Sequence, residues 1–190
     1  MRIVGGKFRG RGLVTPADQT IRPTSDRVRE AVFNVLLHGP LAAGLDGVRV
    51  IDLFAGTGAL GLEAVSRGCS YALFVEDSAE ARGLIRENIE ALGLTGCTRI
   101  FRRDACDLGP AGHLGQFGLA FLDPPYDKGF TDKALLSLIA GGWLTGDAVV
   151  VVEERAGVAV AVPDGLTQLD TRSYGDTEII IFRRSAPAKS

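Results

Sequence analysis

Residues 50–61 read Val-Ile-Asp-Leu-Phe-Ala-Gly-Thr-Gly-Ala-Leu-Gly. The apolar run over residues 48–54 predicts a buried β-strand, and the pattern over residues 58–67, closed by Gly68, predicts a helix. A strand that enters a helix through a turn with the spacing Gly-x-Gly-x-x-Gly is typical of open α/β sheets that bind a nucleotide-like ligand at that turn.

Strand and helix patterns alternate along most of the chain. Apolar runs predict further strands at residues 71–76, 98–103, 119–122 and 148–153, and helices are predicted from Asp26 to the Gly39-Pro40 pair, over 78–92 and over 131–140. Residues 166–174 and 178–183, joined by Gly175-Asp176-Thr177, predict an antiparallel hairpin. We therefore expect an α/β fold with a doubly wound, mainly parallel seven-stranded sheet that ends in this hairpin.

The charge of the chain is unevenly distributed. The 190 residues carry a net charge of −2, yet residues 1–30 hold seven basic side chains against three acidic ones. Residues 1–25 are therefore predicted to be a basic N-terminal arm, followed by the α/β domain over 26–184 and a flexible tail over 185–190. Charge alone fits a solvated, partly disordered N-terminus equally well.

The cysteines and the apolar runs exclude several classes of protein. Cys69, Cys97 and Cys106 have neither paired nor Cys-x-x-Cys spacing, so we expect no disulfide framework and no metal site. The basic N-terminus lacks the apolar core of a signal peptide, and even the longest apolar runs, such as that over 148–152, are too short to span a bilayer. A cytoplasmic protein without a membrane segment is expected.

The turn after the first strand fits two kinds of ligand. A dinucleotide site directs its helix N-terminus at a negatively charged pyrophosphate, which a carboxylate such as Asp52 would repel. S-adenosylmethionine carries a sulfonium and an ammonium instead, so Asp52 favours this methyl donor. Gly56 and Gly58 would let the backbone approach the donor closely.

Two more acids follow the next two predicted strands. Glu76 can accept hydrogen bonds from ribose hydroxyls, and Asp104 can accept one from an adenine amino group, with the backbone N–H of Ala105 beside it. The carboxyl ends of parallel strands share one edge of the sheet, where open α/β sheets bind ligands. The sequence therefore predicts an S-adenosylmethionine site at this edge, without a metal.

Residues 121–126, Phe-Leu-Asp-Pro-Pro-Tyr, end the fourth predicted strand at the same edge. The prolines hold the chain extended and remove a donor, leaving the Asp123 carboxylate and the Pro124 carbonyl as acceptors beside the ring of Tyr126. This arrangement suits a planar base with an exocyclic amine, oriented for in-line attack on the sulfonium methyl group. The base would stack on Tyr126 after leaving its own stack.

The residues alone leave the target amine open, since guanine N2, adenine N6 and cytosine N4 are all amines on planar rings. Cytosine C5 chemistry is disfavoured, because it needs a cysteine near a proline at this strand and Cys106 follows the third strand instead. The alternatives are a DNA adenine-N6 or cytosine-N4 methyltransferase, an NAD-dependent oxidoreductase, and a non-catalytic RNA-binding assembly factor.

Five stretches together resemble a known family: VGGKFRGRGL from residue 4, IRPTSDRVREAVFNVL from 21, VIDLFAGTGALGLEAVSRG from 50, FLDPPY from 121 and YGDTEIIIF from 174. They are similar to the bacterial small-subunit (16S) rRNA guanine-N2 methyltransferases of the RsmD type. The resemblance implies a Rossmann-like class I methyltransferase that uses S-adenosylmethionine to methylate a guanine in 16S rRNA. It implies a preference for the small ribosomal subunit or its assembly intermediate. We also expect a monomer, and the sequence itself leaves the oligomeric state open.

The resemblance and the residue arguments assign three sets of site residues. The catalytic set holding the base is Asp123, Pro124, Pro125 and Tyr126. The donor-binding set is Thr24, Asp52, Phe54, Gly56, Gly58, Glu76, Asp104 and Ala105. The set expected to contact RNA phosphates is Lys7, Arg9, Arg11, Arg22, Arg27 and Arg29.

Overall fold

A computed structural model of the protein describes residues 1–16, 26–38, 44–125 and 129–185. The helices in these ranges are α1 (Asp26–His38), α2 (Ala59–Ser66), α3 (Ala79–Leu92) and α4 (Phe130–Ala140). The strands are β1 (Arg49–Leu53), β2 (Tyr71–Val75), β3 (Thr98–Phe101), β4 (Phe117–Leu122), β5 (Leu144–Arg155), β6 (Leu166–Tyr174) and β7 (Thr177–Arg184). None of the helices in these ranges is long and apolar enough to cross a membrane.

The seven strands form one sheet in the order β3-β2-β1-β4-β5-β7-β6. Neighbouring strands from β3 to β5 run parallel, whereas β7 runs antiparallel to β5 and β6 antiparallel to β7. The prediction of a doubly wound, mainly parallel seven-stranded sheet with an antiparallel C-terminal hairpin is confirmed.

The hairpin inserts its second strand into the sheet and leaves its first strand at the edge. The central residues of β7, residues 179–182, are buried, whereas in β6 residues 167–169 are exposed and residues 170–174 alternate between half-buried and exposed. A strand flanked on both sides needs apolar residues on both faces, and an edge strand tolerates polar ones. The composition of the two strands therefore explains their order.

The predicted start of β5 is displaced in the structure. The sequence predicts a strand from residue 148, but β5 begins at Leu144, which pairs with Phe117. The register then shifts between Phe117 and Leu119, so that the intervening Thr-Gly-Asp of residues 145–147 lies in an irregular part of the strand. A β-bulge tolerates polar and glycine residues that a pattern search assigns to a loop.

Two apolar layers cover the sheet. One contains residues of α1, α2 and α3, such as Phe33, Leu62 and Ile85, and the other contains residues of α4 with Trp143. Alternation along β1 sends Val50 to the first layer and Ile51 to the second. The helices on both faces explain why the central strands β1, β2 and β4 are mostly apolar on both faces.

The basic arm is packed against the domain over the part that the structure describes, residues 1–16. Ile3 and Leu13 are buried in the α1–α3 layer, and Arg2 forms a β-bridge with Gly12. At the other end of the chain, Ser185 donates its N–H to the carbonyl of Gly165 at 3.0 Å, and residues 186–190 lie outside the described residues.

Candidate active site

The loop between β1 and α2, residues 54–58, here called the glycine loop, has an unusual backbone. Gly56 and Gly58 have φ values of 56° and 78°, and Phe54 has a φ of 58°, in the left-handed region that non-glycine residues rarely adopt. Within the described ranges, Phe54 is the one non-glycine residue with a positive φ. Strain of this kind persists where the surrounding structure imposes it, often at a binding site.

Phe54 also connects the glycine loop to the other half of the sheet. Its ring stacks on that of Phe130, with centroids 6.2 Å apart and an interplanar angle of 12°. Phe130 is the first residue of α4, which follows the Asp-Pro-Pro segment. The sequence predicts Phe54 at the donor site, and this role stays a prediction.

Asp52 lies beneath the glycine loop and is 1% exposed. Its Oδ2 accepts a hydrogen bond from the backbone N–H of Gly61 at 2.9 Å. Burial raises the pKa of Asp52 to about 8, with a smaller contribution from the negative charge of Glu76 and an opposing one from the Gly61 N–H. At neutral pH the Asp52 carboxyl therefore holds a proton in the absence of a nearby cation.

Glu76 ties the end of β2 to the glycine loop. Its Oε2 accepts from the N–H of Gly56 and its Oε1 from the N–H of Ser78, both at 2.9 Å. Burial raises the pKa of Glu76, and the two N–H donors oppose that effect. Each carboxylate oxygen has a second lone pair, so Glu76 can still accept from a ligand hydroxyl.

The segment after β3 presents an exposed acid and a buried alanine. Asp104 Oδ1 accepts from the N–H of Cys106 at 2.8 Å, and Ala105 is 5% exposed. The thiol of Cys106 lies 3.7 Å from the carbonyl oxygen of Phe130, and burial, reinforced by Asp104, raises the pKa of this thiol to about 11. A thiol that stays protonated is a poor nucleophile, which agrees with the argument against cytosine C5 chemistry.

Asp123 follows β4 at the edge that carries the glycine loop. Asp52 pairs with Phe121 and Leu53 with Leu122, so Asp123 lies one residue beyond the paired part of β4. It is half-buried, Pro124 is buried and Pro125 is exposed, while Tyr126 lies outside the described residues. Side-chain alternation puts Asp52, Phe121 and Asp123 on the same face of the sheet.

The structure thus brings the predicted acids together at the carboxyl ends of four adjacent strands. Asp52 lies near the end of β1, and Glu76, Asp104 and Asp123 follow β2, β3 and β4. Their roles toward a ligand stay predictions. Thr24 also lies outside the described residues. Within the described ranges, no group of three or more His, Cys, Asp or Glu side chains is placed to hold a metal ion.

A buried contact that the sequence did not predict joins the start of α4 to β5. Thr131, at the start of α4, donates its hydroxyl to Glu154 Oε2 on β5 at 2.6 Å. Both residues are at most 5% exposed, as is fitting for a polar pair inside the fold. The available signal was the acidic pair Glu153-Glu154, which ends the apolar run of β5 as Asp123 ends β4.

The basic arm and the start of α1 present part of the predicted RNA-binding set to solvent. Lys7, Arg9, Arg11 and Arg27 are exposed, and Arg11 donates to the carbonyl of Ala91 at 2.8 Å. Arg22 lies outside the described residues.

The prediction for Arg29 is wrong. Its side chain is fully buried, with Nη2 donating to Asp26 at 2.8 Å and to the carbonyl of Arg2, and with Nε 3.5 Å from Glu63. A guanidinium enclosed by two carboxylates and a backbone carbonyl cannot reach an RNA phosphate. Arg29 instead holds α1 against the arm and α2.

A separate cavity of about 330 Å³ lies at the opposite, amino ends of β1, β4 and β5. Arg49, on its wall, donates to the carbonyls of Leu114 and Gln116, and its guanidinium lies 4.8 Å and 4.6 Å from the ring centroids of Tyr71 and Phe117. These contacts account for Arg49 structurally, and open α/β sheets bind their ligands at the other end. The carboxyl edge is therefore the candidate active site.

The strand order and the glycine loop place the chain among the Rossmann-like methyltransferase folds. The structure of an Escherichia coli protein described as "Putative methyltransferase yhhF" superposes with a TM-score of 0.82 at 30% identity, covering 98% of each chain. The chain belongs to the family whose model is described as "Conserved hypothetical protein 95", which matches residues 1–183.

Two relatives extend this similarity over nearly the whole chain. "Putative rRNA methyltransferase YlbH" of Bacillus subtilis is 37% identical over 188 residues, covering 97% of this chain and 99% of the relative. "Ribosomal RNA small subunit methyltransferase D" of Escherichia coli K12 is 34% identical over 196 residues, covering 100% and 93%. The resemblance to the RsmD-type family that the sequence motifs predict is confirmed.

Proposed function

We propose that the protein transfers the methyl group of S-adenosylmethionine to the exocyclic N2 amine of a guanine in 16S rRNA. The observation that carries this proposal is the joint placement of a strained glycine loop and the Asp123-Pro124 segment on adjacent strands of one edge. The names of the relatives, which specify ribosomal RNA and its small subunit, support the substrate.

The residues of the donor side fit a cationic ligand. Asp52 becomes an anion when a sulfonium or ammonium lies nearby, because an opposite charge favours the ionised carboxyl. Glu76 accepts a hydrogen bond from the Gly56 N–H and has lone pairs left to accept from ribose hydroxyls. The exposed Asp104 would accept a hydrogen bond from an adenine amino group. S-adenosylmethionine supplies the methyl group from its sulfonium.

The residues of the target side orient the amine. The Asp123 carboxylate and the Pro124 carbonyl each accept a hydrogen bond from one N–H group of the amine. These two hydrogen bonds direct the nitrogen lone pair toward the methyl group. As the C–N bond formed, the bond between the methyl carbon and the sulfonium sulfur would break and leave S-adenosylhomocysteine. The methylated nitrogen would be cationic, and its proton would pass to Asp123 or to water. The chain needs no covalent intermediate, so orientation and electrostatics supply the rate enhancement.

The exposed cations of the arm would provide an attraction for RNA phosphates that does not depend on the base sequence. We infer that the protein selects its target by the shape of the assembled small subunit, as a cytoplasmic monomer. Equal activity on a short naked hairpin and on assembled particles would contradict this inference.

Mass spectrometry of modified nucleosides in 16S rRNA tests the proposed reaction. Cells lacking the protein should lose one N2-methylguanosine, and the loss should be restored by the wild-type chain but not by Asp123→Ala. Loss of N6-methyladenosine or N4-methylcytidine instead would reassign the base. Transfer of a labelled methyl group to DNA rather than RNA would favour the alternative DNA methyltransferase.

A further inference from the structure

One side chain on α3 bonds to both the basic arm and the glycine loop. Asn88 Nδ2 donates to the carbonyl of Val14 at 3.1 Å and to that of Thr57 at 3.0 Å. Its Oδ1 accepts from the N–H of Val14 at 2.7 Å. Val14 belongs to the arm, Thr57 lies between Gly56 and Gly58, and Asn88 itself is 1% exposed.

The primary amide suits this position. Both of its N–H groups are used on carbonyls and its oxygen on an N–H, so the partners fix which atom is oxygen. Asn88 interrupts the apolar stripe of α3, which includes Ile85, Ile89 and Leu92. Removing the amide leaves the N–H and carbonyl of Val14 and the carbonyl of Thr57 without their hydrogen-bond partner. Such a loss lowers the free energy of unfolding more than the loss of an exposed hydrogen bond does.

Other contacts dock the arm without involving the glycine loop. The N–H groups of Val4 and Gly5 donate to the two oxygens of Glu63, each at 2.8 Å. The hydroxyl of Ser66 donates to the Gly5 carbonyl at 2.6 Å and accepts from the N–H of Phe8 at 2.9 Å. These bonds attach residues 4–8 to α2. The glycine loop meets the arm at two other points: the Thr57 hydroxyl lies 3.5 Å from Met1 Sδ, and Asn88 joins the Thr57 carbonyl to Val14.

We propose that Asn88 is a positioning residue that couples donor binding at the glycine loop to the docking of the basic arm, and hence to RNA binding. A donor that orders the loop fixes the Thr57 carbonyl, which holds the Asn88 amide and through it Val14. Coupling between two sites is reciprocal, so RNA bound to the arm should tighten donor binding by the same factor. The RNA part of this inference rests on the proposed function.

Hydrogen exchange of the wild-type chain tests the coupling without RNA and without catalysis. S-adenosylhomocysteine, the demethylated donor, should slow exchange in residues 44–61 and also in the arm near Val14. Donor-induced protection of the loop with no change in the arm would overturn the coupling. No protection anywhere and no calorimetric binding would instead remove the proposed donor site, so the two failures are distinguishable.

Two variants distinguish the coupling of the glycine loop to the arm from the docking of the arm on α2. They are Asn88→Ala and the matched control Ser66→Ala. Asn88→Ala should raise the Kd for S-adenosylhomocysteine about tenfold and abolish the donor-induced protection near Val14. Ser66→Ala loosens residues 4–8 and should leave the donor Kd within about twofold of wild type, with the protection near Val14 retained. Persistence of that protection in Asn88→Ala would contradict the proposal. If this variant fails to fold, the wild-type measurement decides.

The reciprocal effect uses small ribosomal subunits from cells lacking the protein. Saturating subunits should lower the wild-type Kd for S-adenosylhomocysteine about fivefold or more, and they should have no effect on the Kd of Asn88→Ala. Equal effects on both chains would show that the coupling takes another route.

Discussion

The donor side and the target side of the candidate active site meet at one edge but are held by different means. On the donor side, Asp52, Glu76 and Asp104 each accept a backbone N–H at 2.8–2.9 Å. On the target side, Asp123 is followed by two prolines, whose rings restrict the backbone covalently. The backbone conformation of the donor side therefore depends on carboxyl groups that can be titrated. The backbone conformation of the target side depends on the proline rings.

The two sides should respond differently to the same kind of change. Altering a carboxyl group on the donor side disturbs the loop and donor affinity together, because the group has both a structural partner and a proposed ligand. Altering Asp123 should affect the rate and leave the donor affinity intact.

Asp123→Ala should lower kcat about 10³-fold and leave the Kd for the donor within about twofold of wild type, because it removes an acceptor of the reacting amine. Single-turnover methylation of small subunits and calorimetry with S-adenosylhomocysteine measure the two quantities. If donor affinity fell as much as the rate, Asp123 would belong to the donor side.

Gly61→Ala should lower the free energy of unfolding by about 3 kcal/mol, because an added Cβ would lie 2.5 Å from Phe74 Cε1 and 3.1 Å from Asp52 Oδ2. Gly83→Ala on α3 is the matched control, since its Cβ would have no neighbour within 4 Å. The free energy of unfolding of this control should rise by about 0.5–1 kcal/mol, because alanine favours the helix more than glycine does. Urea denaturation compares them, and equal behaviour of the two variants would mean that the donor side is loosely packed.

Thr131→Val should cost about 2 kcal/mol of stability, because the buried Glu154 Oε2 loses its hydroxyl donor without a change in side-chain shape. We expect slower turnover and an unchanged donor Kd, since Thr131 begins the helix that follows the Asp-Pro-Pro segment. Denaturation, steady-state kinetics and calorimetry check the three quantities. A normal kcat would show that the prolines alone hold the target side.

Donor binding should tighten with rising pH, because the ionised form of Asp52 attracts the cation and burial raises the pKa of this group to about 8. The Kd should fall by up to about tenfold per pH unit below that pKa and level off above it. Asp52→Asn keeps a hydrogen-bond acceptor for the Gly61 N–H. It should remove the contribution of the Asp52 carboxyl to the pH dependence of the Kd. Calorimetry between pH 6 and 9 tests this, and identical profiles would exclude Asp52 as the titrating group.

The same raised pKa fixes the sign of an effect on stability. The folded chain retains the Asp52 proton to a higher pH than the unfolded chain, where the pKa is near 3.8. The contribution of Asp52 to the free energy of unfolding is therefore greatest below that value and is lost as pH rises toward about 8. Asp52→Asn should flatten this decline in denaturation experiments.

Arg9→Ala combined with Arg11→Ala should weaken RNA binding several-fold. The slope of the binding constant against salt concentration should fall by the amount expected for the loss of about two phosphate contacts. The kcat at saturating RNA should stay nearly unchanged. Arg29→Ala is the contrasting variant, because this buried residue pairs with Asp26 and Glu63 and should affect stability rather than the salt slope. Binding to small subunits at several salt concentrations checks both. An unchanged slope for the double variant would place the arm away from phosphates.

The sequence predicted which residues gather at the edge better than it predicted their contacts. The acids after four successive strands could be found because strand periodicity and the topology of parallel sheets place strand ends together. The burial of Asp52 under Gly61 and the contacts of Asn88 could not, since they depend on distances between segments far apart in the chain.

The sequence by itself determined the alternating strands and helices, the glycine spacing, the proline-stiffened end of β4 and the family motifs, because each is a local pattern of polarity and backbone preference. Only the tertiary structure decided that β7 lies between β5 and β6, that Arg29 is enclosed rather than exposed, and that the arm joins the glycine loop through Asn88. Those outcomes depend on which surfaces meet, since burial and the pairing of charges and amides arise from contacts between segments distant in sequence.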